Sequence, residues 1–196
     1  MVVREACVAN TGRLCLSVGA AMLATACAAS HAKRLDAQPQ PWPAANIHIG
    51  FPLEPCVGTM LSRSGTFRRT YVVIASHRGV RVNLALEPNR NAHTRAVTAM
   101  RSFAGGDRVA EIRLQTLNDL VELIAHEMEH VREQLEGTNL SLLSVARSSD
   151  VQRSGATFET RRGIETGLRV VNEVGHTAVR MCDASVRSAA RRPFPF

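Results

Sequence analysis

Hydrophobic and polar positions fall into three regimes along the 196 residues. Residues 14–26 (LCLSVGAAMLATA) run without a charge, residues 28–45 are rich in Ala, Gln and Pro, and from about Ile47 the apolar positions become patterned. Tyr71 to Ala75 and Val80 to Leu86 are β-rich runs separated by Ser76-His77-Arg78-Gly79, which predicts a hairpin. In the second run Val82, Leu84 and Leu86 alternate with Arg81, Asn83 and Ala85, the period of a half-buried strand. Residues 87–106 read as a polar, partly irregular connection, and Val109 to Leu114 as a further strand with Ile112 and Leu114 on one face.

The period then changes. Leu117, Leu120, Val121, Ile124, Met128, Val131 and Leu135 form a helical stripe that stops at Gly137, a natural C-terminal cap. This predicts a helix from Leu117 or Asn118 to Glu136, with Thr116 or Asn118 as N-cap. A second helix is predicted from about Phe158 to Val174, capped near Ser154 or Thr157, with Ile164, Leu168, Val171 and Val174 as its apolar stripe and Gly175 near its end. Leu140–Arg147 suits a short helix or a strand, and RRPFPF (191–196) reads as a loose tail. Together these elements predict an α+β domain over 47–190, a short antiparallel or mixed sheet packed on two helices.

The amino terminus modifies this picture. Arg4 and Arg13 precede the uncharged stretch, and small residues close it, which describes an export signal over 1–26. Thirteen residues are too few for a comfortable membrane span. Leu23-Ala24-Thr25-Ala26-Cys27 resembles a bacterial lipobox, which implies lipidation and membrane attachment through Cys27; cleavage after Ala26 or Ala28 is the alternative. Residues 27–46 then form a Pro- and Ala-rich tether. The expected setting is the cell envelope, periplasmic or lipid-anchored. Cys7 and Cys15 leave with the signal, so Cys56 and Cys182 remain as a possible disulfide joining the start of the domain to its last helix. Two separate buried thiols are the other reading.

Composition adds little beyond this. The formal charge is +7, but the arginines are scattered, Lys33 is the single lysine, and aromatic residues make up 4% of the chain. Nucleic-acid readers concentrate basic charge on one element beside stacking rings. No nucleic-acid partner is therefore expected.

The chemistry lies on the first predicted helix. Residues 126–130 read His-Glu-Met-Glu-His, the HExxH pattern. Histidines four apart lie one above the other on a helix, so both imidazoles can reach one zinc ion. Glu127, about 100° round the helix from His126, can act as general base on a metal-activated water. The helical wheel sets both histidines beside the apolar stripe and puts Glu129 on the outer face with Glu122, Arg132 and Glu136. Glu133, one turn below His130, is a candidate to orient that ligand. Tyr71, Arg162 and His176 are chemically able to stabilise an oxyanion, without a spacing argument; His31, His48, His77 and His93 form no ligand pattern.

The motif resembles that of the zincin metallopeptidases, with one departure, since that family prefers uncharged residues where this chain has Glu129. Glutamates at 133 and 136 exclude the metzincin extension. The gluzincin-like resemblance instead implies a glutamate on a later helix as third ligand, with Glu159, Glu165 and Glu173 as candidates. Glu159 is favoured because Gly163 and Gly167 follow it and would allow close approach to the His-bearing helix. HEMEHVREQLEG followed by Thr-Phe-Glu-Thr is also similar to small, uncharacterised bacterial HExxH proteins, a resemblance covering about residues 120–175. The leading expectation is an exported zinc metallopeptidase binding one Zn²⁺ and acting on a peptide or protein. A metal-stabilised envelope or interaction domain without catalysis, and a basic polyanion-binding envelope protein, are the alternatives.

Overall fold

The structure is a computed structural model describing residues 42–89, 93–138, 150–154 and 157–191. The expected export signal, Cys27, most of the expected tether, Leu140–Arg147 and the end of the tail lie outside the described residues.

The elements run β1 (Ile47–Ile49), α1 (Glu54–Arg63), α2 (Gly65–Ser76), β2 (Val80–Leu86), β3 (Ala96–Ser102), β4 (Arg108–Leu114), α3 (Leu120–Leu135), β5 (Val151–Ser154), β6 (Thr157–Thr160), α4 (Arg161–Val174) and α5 (His176–Ala190). The four-stranded sheet has the order β1-β2-β4-β3, parallel except that β3 runs antiparallel to β4 at the edge. Strands β5 and β6 form a separate antiparallel pair. Val80, Val82 and Leu84 of β2 and Ala110, Ile112 and Leu114 of β4 are buried, whereas Arg81, Glu111 and Arg113 are not. Alternation thus gives the sheet one apolar face, and α3 packs against β3 and β4. The domain is mixed α+β, as the pattern predicted.

Several elements differ from the sequence reading. Tyr71 to Ala75 belongs to α2, not to a strand, so the expected hairpin is absent. Phe67, Thr70, Tyr71 and Ile74 are buried at helical spacing, and Ser64 Oγ caps the helix by accepting the Phe67 N–H at 2.9 Å. One-sided burial and a cap outweigh the small helix penalty of β-branched residues. Residues 96–102, read as part of a connection, form the edge strand β3. Their alternation is weak, and they are held by pairing with β4 along seven positions, from Ala96 with Leu114 to Ser102 with Arg108. The turn between them uses Gly105 and Gly106 at φ 101° and 91°, left-handed backbone that suits glycine.

Helix α3 starts at Leu120, later than expected, and neither Thr116 nor Asn118 is its N-cap. Asp119 occupies that position at φ 57° without a side-chain cap. The cap comes from another helix: Asp183 of α5 accepts the N–H groups of Asp119 and Leu120, each at 3.1 Å. The far end stops as predicted, with Gly137 at φ 88° and the Thr138 N–H donating to Glu133 O at 2.9 Å. Helix α4 begins at Arg161, and Thr160 replaces Ser154 or Thr157 as its cap, accepting the Gly163 N–H at 2.9 Å. Its buried face is Gly163, Gly167, Val170 and Val174, whereas Ile164 and Leu168 of the predicted stripe are exposed. Gly163 and Gly167 are the positions set against α3, and Ile164 and Leu168 beside them turn outward.

Gly175, at φ 87°, separates α4 from α5. Cys182 of α5 is disulfide-bonded to Cys56 of α1, with their Cα atoms 5.1 Å apart. Part of the predicted tether also packs on the domain: Ala44 is buried and its N–H donates to the Tyr71 hydroxyl at 2.8 Å, while Asn46 Nδ2 donates to Val80 O at 3.1 Å.

Glu173, a third-ligand candidate in the sequence, serves α2 instead. Its carboxylate accepts from Ser64 Oγ at 2.6 Å, Thr66 Oγ1 at 2.6 Å and Thr66 N at 2.9 Å. Burial opposes the charged form, but the hydrogen bonds from Ser64 and Thr66 outweigh it and hold the carboxyl down at about 2. A depressed carboxylate stabilises the fold above its unfolded pKa and loses that contribution as pH falls through the folded value. Glu173→Gln is therefore expected to cost about 1 kcal/mol near neutrality. In urea titrations its deficit against wild type should shrink progressively below about pH 4.5; a deficit that stays constant down to pH 3 contradicts the assignment.

Candidate metal centre

The HExxH residues occupy the middle of α3, where packing against the sheet and α4 buries nearly every side of the helix. Helical spacing brings the rings of His126 and His130 to a centroid distance of 4.5 Å at 85°. The residues are 8% and 5% exposed, and the Nε2 atom of each is buried without a hydrogen-bond partner. Unsatisfied buried polar atoms are costly and few in folded proteins. Two on adjacent rings need an explanation.

Glu159 supplies it. Its Oε2 lies 2.9 Å from His126 Nε2, at ion-pair distance but without hydrogen-bond geometry. Ligand atoms of His126, His130 and Glu159 all lie within 4.8 Å of one another, a group that could hold one metal ion. Two imidazole nitrogens and a carboxylate oxygen suit several first-row divalent ions, zinc and iron(II) among them. Glu159 is on β6, one residue before the cap of α4, and not on a helix as expected. Its side chain is 44% exposed, so the site meets solvent there. Burial lowers the His126 pKa, but the carboxylates of Glu159, Glu127 and Glu122 outweigh it and leave it raised. The Glu159 carboxyl is lowered by His126, against the effect of burial, with His130 and Arg95 adding to the shift.

Gly163 and Gly167 bring the two helices together, as the sequence suggested. A Cβ at Gly163 would lie 3.1 Å from His130 Cε1 and 3.4 Å from His126 Cε1; one at Gly167 would lie 3.1 Å from the Glu122 backbone oxygen. The other third-ligand candidate, Glu165, pairs with Arg161 at 3.7 Å.

The remaining charges on α3 are distributed differently from the helical wheel. Glu129, assigned to the outer face, is 1% exposed. It accepts from Thr70 Oγ1 at 2.7 Å and Arg162 Nε at 2.6 Å, and Arg162 also reaches Glu136 at 2.6 Å. Arg162, one of the oxyanion candidates, is committed to these two carboxylates. Tyr71 is committed to Ala44, and His176 is exposed at the start of α5. Glu133 Oε2 lies 3.1 Å from His130 Nδ1 and accepts Thr160 Oγ1 at 3.0 Å. Glu127 is 5% exposed, and Thr98 Oγ1 of β3 donates to its Oε2 at 2.6 Å.

No family model, curated protein or solved structure matches the chain. The reading of the centre therefore rests on its own geometry.

Sequence reasoning did not find Thr98 or Thr160. Thr98 falls in a stretch whose alternation is too weak to reveal a strand. Thr160 closes the Thr-Phe-Glu-Thr segment, but only folding gives its hydroxyl two partners.

The close approach is testable with two alanines. Gly58 of α1 faces open space, so Gly58→Ala should gain about 1 kcal/mol of helix propensity. Gly163→Ala gains the same propensity but presses on Thr160 Oγ1 at 3.0 Å and His130 Cε1 at 3.1 Å, and overpacking costs about 1–3 kcal/mol. Thermal unfolding should show a raised midpoint for Gly58→Ala and a lowered one for Gly163→Ala, with reduced metal retention only in the latter. Equal gains in both would show that the helices have room to spare.

Proposed function

We propose that the protein is an exported zinc-dependent hydrolase of zincin type, acting on peptide or protein substrates. His126, His130 and Glu159 are the ligands of one ion and Glu127 is the general base. The observation that carries this reading is the convergence of two buried imidazole nitrogens, neither in a hydrogen bond, with one carboxylate oxygen that lies 2.9 Å from His126 Nε2. Zinc in that set supplies Lewis acidity and lowers the pKa of a water molecule towards neutrality.

Glu127 provides the proton transfers. The Thr98 hydroxyl occupies its Oε2, which leaves Oε1 to take the proton of the attacking water and return it to the departing amine. The antiparallel edge strand supports a peptide substrate. Among the described residues β3 pairs only with β4, so its outer backbone groups can align an extended chain. The Cys56–Cys182 disulfide supports export, because such bridges persist in oxidising compartments. It agrees with the reading of residues 1–26 as a signal and with an envelope location, free or anchored through Cys27.

Metal analysis with a peptide-library assay tests the proposal. Wild type is expected to hold zinc stoichiometrically, and His126→Ala and His130→Ala to lose it. Glu159→Gln should weaken retention. Glu127→Gln should keep the metal and lose hydrolysis by about 10²–10⁴-fold. A wild-type protein without zinc overturns the reading. Zinc retention without turnover on any peptide would instead identify a metal-stabilised interaction domain.

A further inference from the structure

Two of the ligand-bearing segments are joined by one buried carboxylate. Glu133 is 4% exposed, and a single oxygen, Oε2, meets both His130 Nδ1 at 3.1 Å and Thr160 Oγ1 at 3.0 Å. The proton positions follow from the chemistry of the donors and acceptors. Thr160 Oγ1 accepts the Gly163 N–H at 2.9 Å, so its own proton points to Glu133. A carboxylate only accepts, so the contact with His130 requires the proton on Nδ1. In the neutral ring that leaves the lone pair on Nε2, the buried atom without a partner.

We infer that Glu133 and Thr160 act as a positioning pair that fixes His130 in its Nδ1–H tautomer and fastens it to the strand bearing Glu159. One hydroxyl caps α4, holds Glu133 and follows directly on Glu159 in the chain. The second histidine and the third ligand are thereby set as a unit before metal arrives. A carboxylate at this position also raises the basicity of the ligating nitrogen. The inference rests on the metal reading proposed above, but not on hydrolysis.

Zinc affinity of the full chain, measured by competition with a chromogenic chelator, is the test. Glu133→Gln is expected to weaken binding by roughly 10–100-fold, the range for removal of such partners. Thr160→Val should weaken it in the same direction, and Thr160→Ser should restore it to near wild type. Because Thr160 acts through Glu133, the double variant Glu133→Gln/Thr160→Val should bind about as well as Glu133→Gln alone. Losses that multiply in the double variant would mean that Thr160 is only a helix cap, and would overturn the pair. The visible spectrum of the Co²⁺-loaded protein should also shift in Glu133→Gln, a signature that a packing role would not produce. Wild-type affinity in both single variants, with only a lower metal-free melting temperature, overturns the inference and leaves the zinc reading intact. A wild-type chain that binds no zinc overturns both. If Glu133→Gln does not fold, the comparison of Thr160→Val with Thr160→Ser decides: equal affinities overturn the pair.

Discussion

The structure depends on how closely α3 and α4 can approach. A metal shared between His126, His130 and Glu159 needs the two segments within the span of one coordination sphere, and ordinary side chains between them would prevent this. Glycine at 163 and 167 removes the obstruction but also removes packing that would hold the helices together. The contact is therefore secured at its rim. Arg162 reaches Glu129 and Glu136 on one side, and Thr160 reaches Glu133 on the other. Breaking a buried ion pair by removing one partner typically costs about 3–5 kcal/mol, several times a surface pair. The Glu129–Arg162 contact, buried at its glutamate end, is thus a stronger clamp than the exposed pairs elsewhere on these helices.

The His-bearing helix is fixed at three other places. Its first turn is capped by Asp183, next in sequence to the cysteine that ties α5 to α1. Its middle is held to the edge strand where Thr98 meets Glu127. Its outer flank is held to α2 through Thr70 and Glu129. Each contact crosses more than twenty residues of sequence, so the centre is assembled by the domain as a whole and not by the five-residue motif.

This explains what was legible beforehand. Strands β2 and β4, the stops at Gly137 and Gly175, the HExxH face and the value of the two glycines all follow from local period or local backbone freedom. Glu159 was legible as a partner but not as a strand residue, because its strand exists only through pairing with β5. Residues 71–75 have strand-like composition and become helical because their neighbours supply a cap and a wall. Glu129 lies on the outer face of an isolated helix, and only the arrival of Arg162 and Thr70 turns that face inward. The missed features are all cases in which a tertiary partner outweighs local preference.

The pair of Glu129 and Arg162, enclosed at its glutamate end, also constrains how such a sequence can change over evolutionary time. Replacing Arg162 alone leaves Glu129 enclosed with Thr70 and the more distant Arg132, whereas replacing Glu129 alone leaves Arg162, 40% exposed, on Glu136, so paths that lose the arginine first pass through a poorly folded intermediate. The arginine is therefore replaceable mainly after position 129 has lost its charge. Homologues with a glutamate at position 129 should therefore keep an arginine at position 162, three residues beyond Glu159, whereas those with an uncharged residue at 129 are free to lose it. A search pattern that demands uncharged residues between the histidines would recover only the second group and would pass over chains like this one.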